Sequence, residues 1–317
     1  DMIRATLKKY GAPEDLVIAI EPDQVSIEAS GELMKQCDMV LATGGSGLVK
    51  AAYSSGTPTI GVGTGNASVI VDGSTDLAKV ANMVMRSKTF DNATSCSTEN
   101  NLIINEEIYD DFVKALEKEG GYLVKNGSKE KDILREAVWP DGHTLSRQIV
   151  AKPIDAIGQV AGLKLPAGTK FIMVEEDGIG PDHLFSGEKL SVITTLHKYC
   201  GFDDALNKLE AILDYMGQGH SCGIHTSHDF RVLELSERMK VSRIMVNQPQ
   251  CLANSGAWTN GMPFTMTLGC GTWGNNSTTR NVTWEDLINV TWVSYPIPNT
   301  QPSDEELFPA SVIAFNK

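Results

Sequence analysis

The sequence has 317 residues, and its 27 Lys and Arg against 40 Asp and Glu give a formal net charge of −13. At roughly 150 residues per domain this is a two-domain length, and a content of 41% apolar and 21% charged residues excludes wholesale disorder. The acidic surface repels phosphate backbones, which argues against nucleic acid as a partner. The lack of an apolar run of about 18 residues argues against a membrane span.

The first ninety residues alternate between helical and strand patterns. Short apolar runs predict strands at residues 15–20, 38–43, 59–62 and 68–71. Helical periodicity predicts helices at residues 3–9, 26–36, 48–55 and 75–86. Strands that alternate with helices of this length predict a parallel βαβ construction.

A second α/β stretch begins near Phe90. Apolar runs predict strands at residues 102–104, 171–174, 190–195 and 243–247, and helical patterns predict helices at 108–119, 155–163 and 203–215. The segment 254–280 is rich in Gly, Asn and Thr and is expected to be an ordered loop. The predicted fold class is α/β.

Six cysteines are spread through the chain without a CxxC pair, at Cys37, Cys96, Cys200, Cys222, Cys251 and Cys270. They are too sparse for a disulfide framework and predict free thiols in a reducing, cytoplasmic setting. The first nine residues are charged and amphipathic and lack the apolar core of a signal peptide.

Two glycine-rich loops follow predicted strands. Gly44-Gly45-Ser46-Gly47 comes after one strand and opens a helix, and the loop 61–66 comes after the next strand. Backbone N–H groups and the helix dipole at such a turn favour an anion such as a dinucleotide phosphate. A tight βα turn that needs φ > 0 explains one loop alone, but two in succession favour the nucleotide.

Cys96 lies among small hydroxyl and amide residues directly before a predicted strand. An exposed thiol beside a backbone N–H suits a nucleophile, whereas a structural cysteine is more often found within an apolar run. Cys222 and Cys270 also stand among Gly, Ser or Thr, so composition leaves the choice among the three open.

Three histidines and a cysteine fall within the nine residues from His220 to His228. Zinc sites usually spread their ligands over two such clusters, and the sequence has no second one. On an extended segment the two end histidines are too far apart to share an ion. No metal site is therefore predicted, and a general base or a loop histidine is favoured.

The order and spacing of these motifs match one known family over nearly the whole chain. The matching residues are 43–47, 61–66, 90–97, 187–191, 219–220, 247–249 and 268–274. They resemble the aldehyde dehydrogenase superfamily, specifically its CoA-acylating branch. The loop 260–274 is most similar to the sulfoacetaldehyde and succinate-semialdehyde dehydrogenase subgroup.

The resemblance implies an incomplete Rossmann-type cofactor domain at residues 1–92 and an α/β catalytic domain at residues 93–284. Residues 285–317 would then carry a C-terminal strand, at 289–294, that supports a homodimer or homotetramer. The first βαβ unit of the cofactor domain has no counterpart here. The chain is therefore expected to be the C-terminal two-thirds of such an enzyme.

The resemblance also implies a role for each matching residue. Cys96 corresponds to the nucleophile that forms a thioester, and His220 corresponds to a histidine that would assist the attack of CoA as a base. Glu188 corresponds to the acidic residue that holds the nicotinamide ribose. The implied cofactor-binding positions, for NAD or NADP, are Thr43, Gly44, Gly45, Ser46, Gly47, Gly63 and Glu188.

One departure from the family pattern points to the acyl acceptor. Hydrolytic members carry a Glu in the loop that corresponds to residues 61–66, whereas this chain has Val62 there and no carboxylate between Thr59 and Val71. Without that base the thioester would hydrolyse slowly and wait for another thiol, of which CoA is the natural one. The amide side chain that completes the family's oxyanion hole also has no counterpart before Thr43.

The expected function is the NAD(P)-dependent oxidation of a short aldehyde to its acyl-CoA, with sulfoacetaldehyde favoured over succinate semialdehyde and acetaldehyde. A thiolase-like acyltransferase that uses Cys96 and His220 is the alternative from another class, but it leaves the loop Gly44–Gly47 without a role. A non-catalytic nucleotide-binding subunit is the third hypothesis.

Overall fold

The structure is a computed structural model that describes residues 1–308 and residue 310. The chain divides into two units, one of residues 1–283 and a second that begins at Trp284. The described part contains no helix that is both long enough and apolar enough to cross a membrane.

Parallel strands form two sheets in the first unit. The smaller sheet pairs β1 (Val40–Thr43) with β2 (Thr59–Val62). The larger sheet contains β3 (Ser68–Val71), β4 (Asn101–Asn105), β5 (Gly121–Val124), β6 (Phe171–Glu175), β7 (Ile193–Tyr199), β8 (Cys222–His225) and β9 (Ile244–Val246). Its strand order is β5-β6-β7-β4-β3-β8-β9 with parallel pairing throughout, which confirms the parallel construction that the alternating pattern predicts.

Helices lie between many of these strands. They are α1 (Met2–Lys9), α2 (Ile27–Gln36), α3 (Ser46–Tyr53), α4 (Leu77–Thr89), α5 (Tyr109–Lys118), α6 (Lys129–Val138), α7 (Ile154–Ala161), α8 (Phe202–Tyr215), α9 (Asp229–Arg238), α10 (Gln250–Asn254) and α11 (Asp304–Leu307). Several begin where a side chain accepts a hydrogen bond from an N–H of the first turn, as at Ser26, Asp76 and Ser128. These helix starts are therefore specified locally.

The core lies on both faces of the larger sheet. Val69 of β3 belongs to one buried apolar cluster together with Phe112 of α5, whereas the next residue, Ile70, belongs to a second cluster with Leu209 of α8. Successive strand residues point to opposite faces, so helices must cover both sides. Burying one such side chain stabilises the fold by about 1.5–3 kcal/mol.

The strand predicted at residues 15–20 is wrong. Glu14–Leu16 forms a single 3-10 turn, and Val17 and Ile18 are exposed without regular structure. A strand needs a neighbour to satisfy its backbone hydrogen bonds, and in the part of the chain that the structure describes the smaller sheet pairs only β1 with β2. The apolar run by itself was therefore not a sufficient signal.

Other element boundaries differ for identifiable reasons. The strand predicted at 190–195 begins later, at Ile193, because Leu190 has a left-handed backbone with φ of 42°. The sequence patterns missed β5 and β8, which have four residues each, and α6 and α9, which are rich in charged residues. Such elements are too short or too polar to give a clear periodic signal.

The larger sheet includes a strand from before residue 92, and the domain boundary expected at that residue stays a prediction. Both β3 and α4 precede that residue, yet β3 lies inside the larger sheet, between β4 and β8. The change from the smaller sheet to the larger one falls between Val62 and Ser68.

The second unit has little regular structure among its described residues. A 3-10 turn spans Trp284–Leu287, and α11 begins after a capping box formed by Ser303 and Glu306. The strand predicted at 289–294 does not form, because no strand among residues 1–308 and 310 pairs with it, and Trp292 is 93% exposed. Its role in oligomerisation stays a prediction, and residues 309 and 311–317 of this segment lie outside the described residues.

Candidate active site

A pocket of about 870 Å³ lies where the loops of the two sheets meet. The smaller sheet contributes Thr43 at the carboxyl end of β1 and, after the strand ends, Gly44, Gly45 and Gly63. The larger sheet contributes residues that precede the amino ends of β3, β4 and β7, namely Gly65, Cys96 and Glu188. The pocket therefore joins the glycine loops to the predicted nucleophile.

Cys96 is placed by a left-handed turn just before it. Asp91, Asn92 and Ala93 have φ angles of 48°, 50° and 58°. Consecutive left-handed residues other than glycine cost roughly 1–2 kcal/mol each and persist only where the surrounding structure holds them. Ala93 is fully buried, and Cys96 follows it into the wall of the pocket, partly exposed.

The thiol of Cys96 contacts a histidine from a distant part of the chain. His220 Nε2 lies 3.0 Å from Cys96 Sγ, across 124 residues of sequence. On its other side, His220 Nδ1 lies 2.9 Å from Ser221 Oγ. His220 is fully buried, so it reaches the pocket through the sulfur of Cys96.

The electrostatics of this pair favour neutral groups. Burial raises the pKa of the Cys96 thiol to about 12, with a smaller contribution from the nearby Glu188. Burial lowers the pKa of His220 to about 3, and Arg243 adds to that shift. At pH 7 the contact is therefore a hydrogen bond between a thiol and a neutral imidazole, and not an ion pair.

Arg243 fixes the backbone around His220. Its buried guanidinium donates to the carbonyl oxygen of His220 at 3.2 Å, to that of Gly269 at 2.7 Å and to Asn281 Oδ1 at 2.6 Å. Hydrogen bonds from a charged donor contribute about 1.5–3 kcal/mol each. Arg243 therefore ties the histidine segment to the glycine-rich loop after α10.

Glu188 faces the same pocket from the larger sheet. Its Oε1 accepts a hydrogen bond from Gly65 N at 3.2 Å, and burial raises its pKa to about 8. The neighbouring Lys189 turns inward, where its Nζ donates to the carbonyl oxygens of Phe185 at 2.6 Å and Gly187 at 2.7 Å. This folded loop leaves the carboxyl group of Glu188 at the pocket wall.

The predicted cofactor-binding residues lie in two settings. Thr43, Gly44, Gly45 and Gly63 line the pocket, while Ser46 and Gly47 form the first turn of α3. A Cβ at Gly45 or Gly47 would meet nothing within 4 Å, so space remains beside these backbone groups. Their N–H groups suit a pyrophosphate, and the Glu188 carboxyl suits a ribose hydroxyl, so the residues fit a dinucleotide.

The histidine-rich segment is partly the strand β8, with Cys222 and His225 at its two ends. His220 faces Cys96, and Cys222 and His225 are buried in the sheet. Among residues 1–308 and 310, no three His, Cys, Asp or Glu side chains are grouped so that they could hold a metal ion.

Part of the pocket wall was missed by the sequence analysis. These residues come from α10 and the loop after it, and they include Cys251, Leu252, Ser255, Phe264 and Met266. Phe264 and Met266 fall in the loop 260–274 that carries the family resemblance, and Cys251 is one of the six thiols, but nothing in their spacing indicates that they line a pocket. The wall is made by an irregular loop that packs back over the pocket, and that packing is a tertiary feature.

Comparisons with known proteins place the chain in a family. Residues 2–133 match the aldehyde dehydrogenase family. A sulfoacetaldehyde dehydrogenase from an Acholeplasma species is 46% identical, and the acetylating succinate-semialdehyde dehydrogenase of Clostridium kluyveri is 38% identical, each over 97% of this chain. The chain belongs to the aldehyde dehydrogenase family. It spans 63% of the length of the first relative and 67% of the second.

Solved aldehyde dehydrogenases share the fold. An acetylating aldehyde dehydrogenase from Geobacillus thermoglucosidasius is 35% identical with a TM-score of 0.87, over 95% of this chain and 66% of that one. The propionaldehyde dehydrogenase of Rhodopseudomonas palustris, solved with bound CoA and an acylated cysteine, is 25% identical with a TM-score of 0.75, over 87% of this chain and 61% of that one. The expected aldehyde dehydrogenase-like α/β fold is therefore confirmed.

Proposed function

We propose that the protein oxidises a short aldehyde to its acyl-CoA through a thioester on Cys96, with NAD or NADP as the hydride acceptor. The observation that carries the proposal is the 3.0 Å contact between Cys96 Sγ and His220 Nε2, at the wall of a pocket that Glu188 and two glycine loops also line. A thiolase-like acyltransferase has no use for those loops, and family membership adds to the case against it.

The first step is the attack of the Cys96 sulfur on the aldehyde carbon. The bond between sulfur and carbon forms as the thiol proton passes to His220 Nε2, and the carbonyl π electrons move to the oxygen. A base placed in this way contributes about 10²–10⁴-fold to the rate. Because His220 touches the nucleophile, we assign it first to the activation of Cys96, and its assistance to CoA attack follows from the same position.

Backbone donors would stabilise the oxygen that becomes negative. The N–H of Cys96 is the proposed donor, and removal of one such donor costs on the order of 3 kcal/mol in the barrier. A nicotinamide bound here would supply the hydride acceptor for the oxidation of the Cys96 thiohemiacetal to the thioester. Thr43, Gly44 and Gly45 would hold its pyrophosphate and Glu188 its ribose.

The pocket supports transfer of the acyl group to a thiol. Val62 is buried in β2, and no carboxylate occurs between Thr59 and Val71 to activate water from that loop. CoA attack on the thioester carbon expels Cys96 as the leaving group, so the nucleophile is regenerated without net hydrolysis. Relatives named as acetylating, and one solved with CoA and an acylated cysteine, support this acceptor.

Sulfoacetaldehyde is the proposed substrate, with succinate semialdehyde and acetaldehyde as alternatives. The support comes from relatives named sulfoacetaldehyde dehydrogenase. Among the described residues, the acidic side chains that line the pocket are Asp91 and Glu188, and no basic side chain lines it, so an anionic tail would rely on neutral donors there. The hydroxyl group of Ser255 provides such a donor.

The test is NAD(P)H production by the intact protein with sulfoacetaldehyde, succinate semialdehyde or acetaldehyde, each with and without CoA. We expect turnover that depends on CoA, highest with sulfoacetaldehyde, and loss of turnover in Cys96→Ala. Equal rates without CoA would assign the protein to hydrolytic aldehyde oxidation. Normal turnover in Cys96→Ala would remove Cys96 as the nucleophile.

A further inference from the structure

Two polar side chains follow His220 in sequence of contact on the side opposite Cys96: the first contacts the imidazole, and the second contacts the first. Ser221 Oγ lies 2.9 Å from His220 Nδ1, and Gln250 Nε2 lies 3.4 Å from Ser221 Oγ. All three residues are at most 1% exposed. With Cys96 they form a continuous polar chain that connects α10, the start of β8 and the pocket.

The amide of Gln250 has an unsatisfied atom. Its Oε1 is buried without a hydrogen-bond partner while Nε2 faces Ser221. A buried polar atom left unpaired costs about 1–3 kcal/mol, and the two ends of an amide are assigned from the network around them. With the ends exchanged, Ser221 O–H donates to Gln250 Oε1 and the unsatisfied acceptor gains a partner.

The far end of the Gln250 amide packs against Gly223. A Cβ added at residue 223 would lie 2.4 Å from Gln250 Oε1 and 3.2 Å from the carbonyl oxygen of Met245. Any side chain at residue 223 would displace the amide.

The direction of the Ser221 hydroxyl decides the tautomer of His220. If Ser221 O–H donates to Gln250, its oxygen accepts the proton on His220 Nδ1, and Nε2 carries a lone pair toward Cys96 Sγ. The opposite arrangement would place a proton on Nε2, where it faces the thiol and cannot accept a proton from it. Only the first arrangement makes His220 a base for the nucleophile.

We propose that Ser221 and Gln250 are positioning residues, which hold His220 as the Nδ1–H tautomer with Nε2 free to take the Cys96 proton. The inference rests on the proposed role of Cys96 as the nucleophile. When the proton leaves sulfur for Nε2, the imidazolium keeps its Nδ1–H bond to Ser221. No proton has to move beyond the ring.

The backbone of α10 keeps Gln250 in place for this role. Gln250 N donates to Glu99 Oε1 at 3.0 Å, and its carbonyl oxygen accepts from Asn254 Nδ2 at 2.7 Å. The next residue, Cys251, donates its N–H to Ser87 Oγ at 2.8 Å. These buried contacts hold the backbone of Gln250 in place, from which its side chain extends to Ser221.

The direct test is the ¹⁵N chemical shifts of the His220 ring in the intact protein at pH 7, assigned by comparison with His220→Gln. We expect the pattern of the Nδ1–H tautomer. An Nε2–H pattern in the unmodified protein would overturn the proposal, and this measurement needs no destabilised variant and no activity.

Two variants connect the tautomer to the reaction. Ser221→Ala removes the acceptor and Gln250→Met removes both amide atoms at similar length. We expect each to shift the His220 ring toward Nε2–H and to lower kcat about 10- to 100-fold, with KM for the aldehyde changed less than about twofold. Ser221→Thr, which keeps the hydroxyl, should recover most of kcat.

A matched control and one further variant separate the possible failures. Ser242→Ala removes a serine hydroxyl that has no hydrogen-bond partner among the residues the structure describes, and it should leave kcat within about twofold of the parent. Unchanged kcat and unchanged ring shifts in Ser221→Ala would overturn the positioning role of Ser221. The loss of activity in Cys96→Ala would still support the proposed function in that case. Activity in Cys96→Ala would instead refute the proposed function itself.

Discussion

The α-carbon of Gly65 lies against the backbone of Cys96, so that a Cβ added at residue 65 would come within 2.3 Å of the Cys96 carbonyl oxygen and 3.0 Å of its Cβ. The amide of the same glycine donates to Glu188 Oε1 at 3.2 Å. One residue without a side chain thus brings the Cys96 thiol and the Glu188 carboxyl onto a single wall of the pocket. Gly65 belongs to the second glycine loop of the sequence, where no feature distinguishes it from its neighbours.

Gly65→Ala should disrupt the site through this contact. Either the loop 61–66 or Cys96 must move, and a displacement of about 1 Å at the reacting atoms costs on the order of 100-fold in rate. We expect kcat/KM for the aldehyde to fall at least about 100-fold and the free energy of unfolding to fall by about 1–3 kcal/mol. Steady-state kinetics and urea unfolding measure the two effects.

Gly31→Ala is the matched control for that variant. Gly31 lies within α2, and a Cβ there would meet nothing within 4 Å. Because alanine favours the helix, stability should rise by about 0.5–1 kcal/mol with kinetics unchanged. Wild-type activity in Gly65→Ala would contradict the close packing around Cys96.

The Cys96 thiol should be alkylated slowly at neutral pH. Burial raises its pKa to about 12, and the thiolate is the form that reacts with iodoacetamide. We expect the exposed Cys37 and Cys200 to react first at pH 7, and the rate at Cys96 to rise roughly tenfold per pH unit up to pH 10. Peptide mass spectrometry of timed samples follows each site. A fast rate at Cys96 that does not vary between pH 6 and 9 would indicate a thiolate–imidazolium pair instead.

Buried histidines should make the fold sensitive to acid. Burial lowers the pKa of His197 to about 3 and that of His225 to about 4, as it lowers that of His220. Between pH 6.5 and the folded-state pKa, the unfolded chain binds the proton and the folded chain does not. Stability is therefore lost as pH falls through this window, by up to about 1.4 kcal/mol per pH unit for each histidine.

His197→Gln isolates one of these protons. The glutamine amide can replace the 3.3 Å contact of His197 Nε2 with Asn101 Oδ1, but it does not titrate. The slope of unfolding free energy against pH, from urea melts between pH 4 and 6, should fall by about one proton, or 1.4 kcal/mol per unit. An unchanged slope in His197→Gln would mean that this ring is protonated in the folded protein.

Glu188→Gln should change stability and cofactor binding in opposite directions. Burial raises the pKa of Glu188 to about 8, so between pH 4.5 and 8 the folded state holds a proton that the unfolded state releases. Stability contributed by this group falls as pH rises through that window, and the glutamine variant lacks this loss. We expect the variant to be more stable than the parent at pH 8, to match it near pH 4.5, and to bind NAD(P) about tenfold more weakly.

Urea unfolding at the two pH values and calorimetric titration of NAD(H) and NADP(H) measure these effects. The titration also compares the two nucleotides on one protein. A glutamine variant that is less stable than the parent at pH 8 would show that Glu188 is ionised and paired in the folded state.

Local sequence decided the elements and many of their ends. The run Ser68–Val71 is a strand as predicted, because β-branched residues suit a segment that is buried on both faces. The helix predicted at residues 26–36 begins after Ser26, whose side chain accepts from Ala29 N. Both outcomes depend on residues within a few positions of each other, so a sequence pattern can carry them.

Partners far apart in the chain could not be predicted in this way. The segments 15–20 and 289–294 have the apolar composition of strands. A strand is stable only with a neighbouring strand, and neither segment has one in the described structure. Cys96 and His220 were both singled out, yet their contact exists because β4 and β8 flank β3 in parallel register, which places both amino ends at one edge.

The same register explains why the site lies at the edge of the larger sheet where the amino ends of β3, β4 and β7 meet. Glycine loops after β1 and β2 meet residues that precede β3, β4 and β7, so carboxyl ends of one sheet face amino ends of the other. Ser221 and Gln250 come together behind His220 for the same reason, and Gln250 lies outside the motifs that the sequence marks. Residue chemistry is local and can be read along the chain, whereas a hydrogen-bond partner or a pocket wall is a long-range contact that the packing of whole elements decides.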